Sequence, residues 1–498
     1  MPYIALVVCL IFVAKLWKVD RAASPGLSKA LWVPTLWFLY SATRPLNEWF
    51  QGGQFIEGGG GGVESGNVLD RYFLSILLVI GLVILNKRRI NWPQTIKNNA
   101  WLFALFFFML VSILWSDFPY VSLKRWVRTA GTSIIALVVL SEGDPYEAMH
   151  AILRRTIYVV IPLSMLFVKY FPVLGVGFGR WSGQPYYLGV TLNKNSLGEV
   201  CAIWMYLYIW TLVWRRDKKE GAQAVRGQTV CELILVLMTL YLMKGPSGYG
   251  ATGASYSATS IAVLVMGLGI FFTLRHFKAR LAQLGRWAAM ALVGYAVVAV
   301  AMNMLGTSLI SVVAPVLGRD ATLTNRTDVI WDVLLPIAWQ HPVLGLGYGS
   351  FWIKPVPNLT YAANEAHNGY LDVFLEQGVV GLILVALVAV MYFRKARNEF
   401  PDNFHWAAFR MSYLVMFLFH NWTEATLLRS TELLWNIFVL FTVVYPKEWT
   451  GRVDDRLIPV EEEALSPVAA APTASPARET ISALDSGMAN ALGLQDES

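Results

Sequence analysis

The feature that most constrains this chain is a series of long apolar runs that recurs from one end to the other. Each run approaches the roughly 20 residues that an α-helix needs to cross the hydrocarbon core of a bilayer. The runs cover residues 3–17, 27–41, 72–85, 100–115, 129–140, 157–171, 197–214, 230–243, 257–274, 287–305, 379–393, 406–419 and 433–445. They predict an all-α polytopic membrane protein with about 12–13 transmembrane helices.

The overall composition supports a membrane protein and argues against a nucleic-acid partner. Hydrophobic residues make up 56% of the 498 residues and charged residues 15%, and the mean hydropathy is +0.50. A chain this apolar needs membrane lipid as part of its solvent. The net charge of +7 is spread over short loops instead of one basic face, which is not the pattern of a nucleic-acid-binding protein.

The positions of the basic residues predict an orientation. Lysines and arginines occupy every second connection between the apolar runs, for example at 87–89, 154–155, 215–219 and 394–397. Loops rich in lysine and arginine stay in the cytoplasm. We therefore expect a multi-pass protein of the bacterial cytoplasmic membrane, with the N-terminus and the alternate loops on the periplasmic face.

Four regions follow from this topology. Residues 1–306 are predicted to hold the N-terminal transmembrane helices, with a Gly-rich external loop at 42–69. Residues 307–378 form a large periplasmic loop, and residues 379–446 hold the C-terminal transmembrane helices. The polar, Ala/Pro/Ser-rich residues 447–498 are expected to be a disordered cytoplasmic tail.

The large loop is predicted to contain short amphipathic helices. Residues 324–340 carry apolar side chains at Val329, Val333, Leu334 and Ile337, a spacing typical of a helix on the membrane surface. A second helix is expected over residues 368–377, closed by Gly378.

Motifs for cofactor chemistry are missing from the sequence. The three cysteines have no CxxC spacing, which argues against a metal site or disulfide. Walker A, HExxH and GxSxG motifs are absent. Two glycine series, at 175–179 and 345–349, lie outside any βαβ pattern and are interpreted as tight turns. We therefore expect no cofactor.

Lysines and arginines on the predicted external face are exceptions to the enrichment of these residues in cytoplasmic loops, so their presence there requires an explanation. Interfacial snorkelling, or pairing with neighbours such as Asp320 and Asp328, would explain any one of them. A guanidinium also binds phosphate bidentately, so Arg319 and Arg326, joined by Arg180, suit a diphosphate at the membrane surface. The external cations are Lys124, Arg125, Arg128, Arg180, Lys194, Arg319 and Arg326.

His367 is the candidate general base. It stands just before the helix predicted to begin near Asn368, where the helix dipole disfavours imidazolium and so favours a neutral ring that can accept a proton. A capping or packing histidine explains the same position equally well. His420, near Asn421 and Glu424, is a weaker candidate because its surroundings are more apolar.

Several stretches together resemble the O-antigen ligase and polymerase superfamily, and most closely its exopolysaccharide-polymerase branch. The resemblance spans roughly residues 115–430. Asn325 stands where the family has glycine before the second loop arginine. The matching stretches are Trp115-Ser116-Asp117, Lys194-Asn195-Ser196-Leu197-Gly198, Gly318-Arg319-Asp320, Leu323 to Thr327, Pro342 to Gly347, Ala366 to Leu371, Glu376-Gln377-Gly378 and Asn421-Trp422-Thr423-Glu424.

The resemblance implies a metal-independent glycosyl transfer on the periplasmic face. The donor would be an undecaprenyl-diphosphate-linked glycan, and the acceptor a glycan or a lipid-anchored hydroxyl, with other polysaccharide assembly proteins as further partners. The expected catalytic residues are His367, Arg326 and Arg319. The expected substrate-binding residues are Arg125, Arg128, Arg180, Lys194, Asn195, Asn368 and Glu424.

The chemistry predicts inversion, and alternatives to a transferase remain open. Without an identified pair of carboxylates acting as nucleophile and acid, we expect a single displacement at the anomeric carbon. The sequence does not decide between polymerase and ligase. A lipid-linked oligosaccharide flippase or polysaccharide transporter would share the spans and external cations, although it should show inverted repeats and charges at the midplane. A scaffold for an assembly complex is the third possibility.

Overall fold

The computed structural model describes residues 1–50, 68–179, 183–218, 222–246, 256–283, 330–356, 359 and 364–444. These residues form mainly α-helices, with one short antiparallel hairpin of β1 (Val176–Phe178) and β2 (Pro185–Tyr187). The helices are α1 (Pro2–Ala23), α2 (Trp32–Ser41), α3 (Leu46–Phe50), α4 (Val68–Lys87), α5 (Trp92–Asn98), α6 (Ala100–Val111), α7 (Pro119–Leu140), α8 (Pro145–Tyr170), α9 (Pro172–Gly175), α10 (Lys194–Lys218), α11 (Ala222–Lys244), α12 (Ala258–His276), α13 (Asp332–Ala338), α14 (Gly369–Glu399), α15 (Phe404–Thr423) and α16 (Leu433–Thr442).

The helices confirm the predicted fold class of an all-α polytopic membrane protein. Six of those in the described ranges, α1, α4, α8, α10, α12 and α14, are long and apolar enough to cross a membrane. The pair formed by α5 and Ala100–Trp115 also qualifies, although it bends by 93°. Every predicted apolar run except 287–305 coincides with a helix, and that run lies outside the described residues. Because α2 and α16 have only 10 residues each, the number of spans stays a prediction.

Local sequence signals set where several helices begin. The Asp144 carboxylate accepts hydrogen bonds from the backbone N–H groups of Tyr146 and Glu147 at the start of α8. Asn403 caps α15 in the same way. These side chains satisfy backbone donors that have no partner in the first turn of a helix.

The C-terminal helices pack into one aromatic core with α10 and α12. α12 packs against α15 and α10, and α15 packs against α14. The buried ring of Trp210 on α10 lies 4.9 Å from Trp406 and 5.0 Å from Phe409 on α15, centroid to centroid. This packing places the end of α15 beside the beginning of α10, where the candidate site lies.

α14 is interrupted at Gly378, which confirms the predicted end of the helix that starts near Asn368. Gly378 has φ +60° and ψ −162°, a conformation that glycine adopts without steric cost. The N–H groups of Val379 and Val380 donate to the carbonyls of Pro342 (2.8 Å) and Val343 (3.2 Å) instead. The break therefore locks the preceding loop onto the helix.

The second glycine series forms the predicted turns. Gly345, Gly347 and Gly349 all have positive φ, at +66°, +92° and +64°. A side chain at Gly345 would meet the backbone of Glu376 at 2.4 Å. The series lets the loop lie directly against the first part of α14.

The prediction of a tight turn for the first glycine series is wrong. Residues 176–178 form strand β1, which pairs with β2 in the register Gly177 opposite Tyr186. The close approach that the glycines permit is nevertheless present, because a Cβ at Gly177 would lie 2.7 Å from the Tyr186 ring.

Several other predictions fall partly or wholly outside the described residues. Of the amphipathic helix predicted over 324–340, the structure describes α13 with Pro336 inside it, and residues 324–329 are not described. Residues 51–67 of the Gly-rich loop and the whole tail at 447–498 are also outside the described ranges.

Candidate functional site

His367 lies between two carboxylates at the entrance to α14. Its Nδ1 is 2.8 Å from Oε1 of Glu365 and 3.3 Å from Oε2 of Glu424. The residue has φ +49°, a left-handed backbone conformation that costs energy for a side chain other than glycine. The imidazole is 29% exposed, whereas the Glu424 side chain is 6% exposed. The His367 ring is therefore partly accessible to solvent, while the Glu424 carboxylate that it contacts is buried.

The carboxylates change the electrostatics expected from sequence. The helix dipole disfavours a charged ring at this position, but two anions at Nδ1 favour it. They also favour the tautomer with a proton on Nδ1, which leaves Nε2 as the basic atom. A ring held in this way can take a proton at Nε2 while the carboxylates stabilise the imidazolium.

Glu424 is placed by the meeting of α10 and α15. It is the C-terminal cap of α15, and its Oε1 accepts a hydrogen bond of 2.8 Å from Nδ2 of Asn195 in the first turn of α10. The N–H of Gly369 donates to the Glu424 carbonyl at 3.0 Å. A side chain at position 369 would lie 2.2 Å from Oδ1 of Asn421, so glycine allows this close contact.

Glu365 connects His367 to an arginine. Its Oε2 lies 3.3 Å from Nη1 of Arg429, whose Nη2 lies 2.5 Å from Oδ2 of Asp372. Burial would raise the pKa of Glu365, but the neighbouring His367 and Arg429 hold that pKa below its usual range. Glu365 is therefore anionic at neutral pH.

Asp372 anchors the same network to the protein. Its Oδ1 accepts hydrogen bonds from Nε1 of Trp352 (3.2 Å) and from the backbone N–H of Ala366 (3.0 Å). Nε1 of Trp331 donates to the Ala366 carbonyl at 2.9 Å. These contacts fix the segment that carries Glu365 and His367.

Three predicted cations border this network. Arg128 donates from Nε to Oγ of Ser430 at 2.9 Å, and Ser430 is the residue that follows Arg429 in the chain. Arg125 donates from Nη1 to the Gly349 carbonyl at 2.6 Å. Nζ of Lys194 lies 5.5 Å from the centroid of the Tyr186 ring, and Lys194 precedes Asn195.

Of the remaining residues predicted to be catalytic or substrate-binding, the structure describes one and leaves three outside its described ranges. Asn368 caps α14 through its side-chain oxygen, which accepts from the N–H groups of Tyr370 and Leu371 at 3.1 Å each. Its predicted substrate-binding role stays a prediction. Arg180, Arg319 and Arg326 lie outside the residues that the structure describes.

Sequence reasoning missed Glu365, Asp372 and Arg429. Arg429 follows the twelfth apolar run, so it is another cation on the predicted external side and meets the criterion applied to the others. Glu365 stands two positions before His367, but an acidic residue near a histidine is common. Only the backbone turn at His367 brings the carboxylate of Glu365 to Nδ1.

Among the described residues, Glu365, His367 and Glu424 also have the spacing of a possible metal site. Their donor atoms all lie within 4.8 Å of one another. A histidine nitrogen and two carboxylate oxygens would suit a divalent cation. Arg429 and Asn195, however, already engage the other oxygens of Glu365 and Glu424, so the carboxylates have protein partners of their own.

The fold and the site together define a multi-pass membrane protein with a histidine–carboxylate centre where its helices end. A family model described as O-antigen ligase matches residues 248–386, which include Glu365 and His367. The exopolysaccharide production protein ExoQ of Rhizobium meliloti (strain 1021) is 24% identical over 318 residues, which cover 61% of this chain and 67% of the relative. The resemblance to the O-antigen ligase and polymerase superfamily, and to its exopolysaccharide branch, is thereby confirmed.

Proposed function

We propose that this protein is a polysaccharide polymerase or ligase that transfers a glycan from an undecaprenyl-diphosphate carrier to an acceptor hydroxyl on the periplasmic face. The family match and the relative's role in exopolysaccharide production support this class of reaction. One structural observation carries the proposal: Nδ1 of His367 lies against Glu365 and Glu424 while the ring remains partly exposed.

The acceptor hydroxyl supplies the nucleophile. Its oxygen forms a bond to the anomeric carbon of the donor glycan, and its proton passes to Nε2 of His367. Glu365 and Glu424 stabilise the positive charge that the ring acquires. General-base catalysis of this kind contributes roughly 10²–10⁴-fold to a rate.

The leaving group is the lipid diphosphate. As the bond from the anomeric carbon to the diphosphate oxygen breaks, negative charge develops on the phosphates. Preorganised cations stabilise that charge more in the transition state than in the ground state. Arg319, Arg326 and Arg180 are proposed for this role, together with Arg125, Arg128 and Lys194.

We further propose a single displacement with inversion and without a metal ion. Glu365 and Glu424 both face Nδ1 of the histidine, so they orient the base instead of attacking the sugar. A base-assisted attack of an external hydroxyl inverts the anomeric centre. The cations of the site replace a metal as the electrostatic partner of the diphosphate.

The test is glycosyl transfer by the purified protein. Lipid-diphosphate glycan is supplied with acceptor, and chain growth and anomeric configuration of the product are measured for the wild type, His367→Ala and Arg326→Ala. We expect inverted product from the wild type and strongly reduced transfer from both variants. Translocation of the donor across vesicles without a new glycosidic bond would contradict the proposal and favour a flippase.

The periplasmic location needs its own measurement. We expect single cysteines placed at Lys354 and Asn364 to react with a membrane-impermeant maleimide in intact spheroplasts. Labelling only after the membrane is broken would put the site in the cytosol and overturn the proposed face.

A further inference from the structure

α10 and α15 are joined by two contacts that are one helical turn apart on both helices. The first joins Asn195 on α10 to Glu424 at the end of α15, with 2.8 Å between Nδ2 and Oε1. The second joins Glu199, four residues later on α10, to His420, four residues earlier on α15, with 3.2 Å between Oε1 and Nε2. Residues four apart share one face of a helix, so the two contacts form a ladder of two rungs.

The second rung is buried. The side chains of His420 and Glu199 are 1% and 6% exposed. Nδ1 of His420 has no hydrogen-bond partner among the described residues, and Nε2 lies within ion-pair distance of Glu199 without the alignment of a hydrogen bond. The pair borders a small pocket whose lining is mainly apolar, including Val263, Met416 and Phe417. Ionisable groups in such a place are expensive and are often retained for function.

Another ion pair on α10, between Arg215 and Glu232, has several hydrogen bonds to its carboxylate and serves as a comparison. Arg215 donates two hydrogen bonds to Glu232 on α11, at 2.8 and 3.0 Å. Gln228 adds a third bond of 3.0 Å to the same carboxylate. Within the part of the chain that the structure describes, the pair of Glu199 and His420 has no such additional hydrogen bonds. A purely structural role therefore explains this pair less well.

We propose that Glu199 and His420 are positioning residues for glycosyl transfer. Their rung fixes the separation between the first turn of α10 and the last turn of α15. That separation decides whether Asn195 can hold Glu424 against Nδ1 of His367. The inference rests on the proposed function, because its effect is exerted through the proposed base. Misplacement of a catalytic group by about 1 Å can cost about 10²-fold in rate.

The test compares Glu199→Gln with Glu232→Gln in the full-length purified protein. Each variant breaks one buried ion pair on α10. We expect Glu199→Gln to lower kcat by roughly 10-fold or more with KM for the donor nearly unchanged, since it loosens a group that acts in the transition state. Glu232→Gln should lower the thermal unfolding midpoint without changing kcat per folded molecule. Equal kcat values for the two variants would overturn the proposal.

A double-mutant cycle separates positioning from general destabilisation. If Glu199 acts through the contact of Asn195 with Glu424, Asn195→Ala should cost little further activity in a Glu199→Gln background. Multiplicative losses would contradict the ladder. If Glu199→Gln does not fold, Glu199→Ala/His420→Ala removes the rung without leaving a buried charge, and the same loss of kcat is expected. Wild-type kcat in that double variant would refute the inference.

The proposed function and this inference fail in different ways. A wild-type protein that forms no glycosidic bond under any condition would refute the proposed function. An active wild type whose Glu199 and His420 variants keep full kcat would refute the positioning role alone.

Discussion

Two histidine clusters contact α10, one in its C-terminal part and one at its beginning, and they differ in the solvent exposure of the histidine ring. His150 on α8 contacts Thr211, with 3.1 Å between Nε2 and Oγ1, and its side chain is 3% exposed. His367 lies beyond the other end, next to the pair of Asn195 and Glu424. Thr211 and Asn195 are separated by about 24 Å along the helix, at a rise of about 1.5 Å per residue.

In the cluster at His150 the ring itself is sealed from solvent by its neighbours. Its Nδ1 faces Nη1 of Arg154 at 3.2 Å, and Arg154 in turn contacts Asp20 at 2.5 Å. The ring packs edge-on against Trp210 and Trp214 at 5.7 and 5.9 Å. The same residue types therefore tie helices together in one place, whereas at His367 they surround a ring that is partly exposed.

The largest expected effect is the loss of transfer in His367→Gln. Glutamine keeps polarity but cannot take a proton from the acceptor, so kcat should fall by roughly 10²–10⁴-fold. Initial rates of glycan transfer per folded molecule provide the measurement.

His150→Gln is the matched control for that variant. It replaces a histidine whose Nδ1 lies 3.2 Å from Arg154 and 3.8 Å from a carboxylate oxygen of Glu147. Its kcat per folded molecule should stay within about twofold of the wild type, as for a site with no part in the chemistry. If His150→Gln lowered kcat as much as His367→Gln does, the proposed difference between a structural cluster at His150 and a catalytic one at His367 would be contradicted.

A substitution in the His150 cluster should lower the stability of the protein and leave its activity unchanged. Asp20 is 2% exposed and contacts both Arg154 and Arg155. Asp20→Asn removes the carboxylate that contacts both guanidiniums and leaves Arg154 with Glu147, at 3.3 Å, as its anionic partner, so we expect a loss of about 3–5 kcal/mol in the free energy of unfolding. Denaturant unfolding in detergent measures it. Unchanged stability, or a fall in kcat per folded molecule, would contradict a purely structural role.

Glu365→Gln should shift the pH dependence of transfer. Losing one anion at Nδ1 makes the His367 ring release its proton more readily, so the acid limb of the pH–rate profile moves to lower pH. The weaker base should also lower kcat by about 10-fold. Glu232→Gln, far from the ring, should leave the profile in place, and a shift of the Glu365→Gln limb to higher pH would contradict the arrangement.

The lowered pKa of Glu365 also makes the free energy of unfolding depend on pH. Because the pKa of Glu365 is lowered in the folded protein, its contribution is complete above the unfolded value of about 4.3 and is lost as pH falls through the folded pKa. Glu365→Gln should therefore lose stability relative to the wild type at pH 7 and less so in acid.

The smallest effect is expected from metal removal. Transfer should be unchanged in excess EDTA, since Arg429 and Asn195 engage the carboxylates that would otherwise bind a cation. Inhibition by EDTA that is reversed by Mg²⁺ or Mn²⁺ would show instead that Glu365, His367 and Glu424 form a metal site.

The fold was largely predictable because the bilayer imposes a length and a composition on each span. The helix break at Gly378 was also predictable, since glycine after a periodic apolar run is a strong stop signal. The strand at 176–178 was not, because three residues next to glycines carry no periodicity that distinguishes a turn from a short hairpin.

The site was predictable in its residues but less so in its connections. His367, Asn195 and Glu424 lie in separate stretches of the sequence, and motif similarity identified all three. Their mutual distances depend on how α10, α14 and α15 pack. The pairing of Glu365 with His367 depends further on the left-handed φ of +49° at His367, which no propensity for histidine predicts.

The most direct test of the central claim is protection of His367 by the donor. Diethyl pyrocarbonate modifies accessible imidazoles, and mass spectrometry measures the extent at each histidine. We expect that His367 reacts, that undecaprenyl-diphosphate glycan suppresses this reaction, and that the buried His150 stays unmodified. Modification of His367 that saturating donor does not change would contradict a reaction centred on this ring.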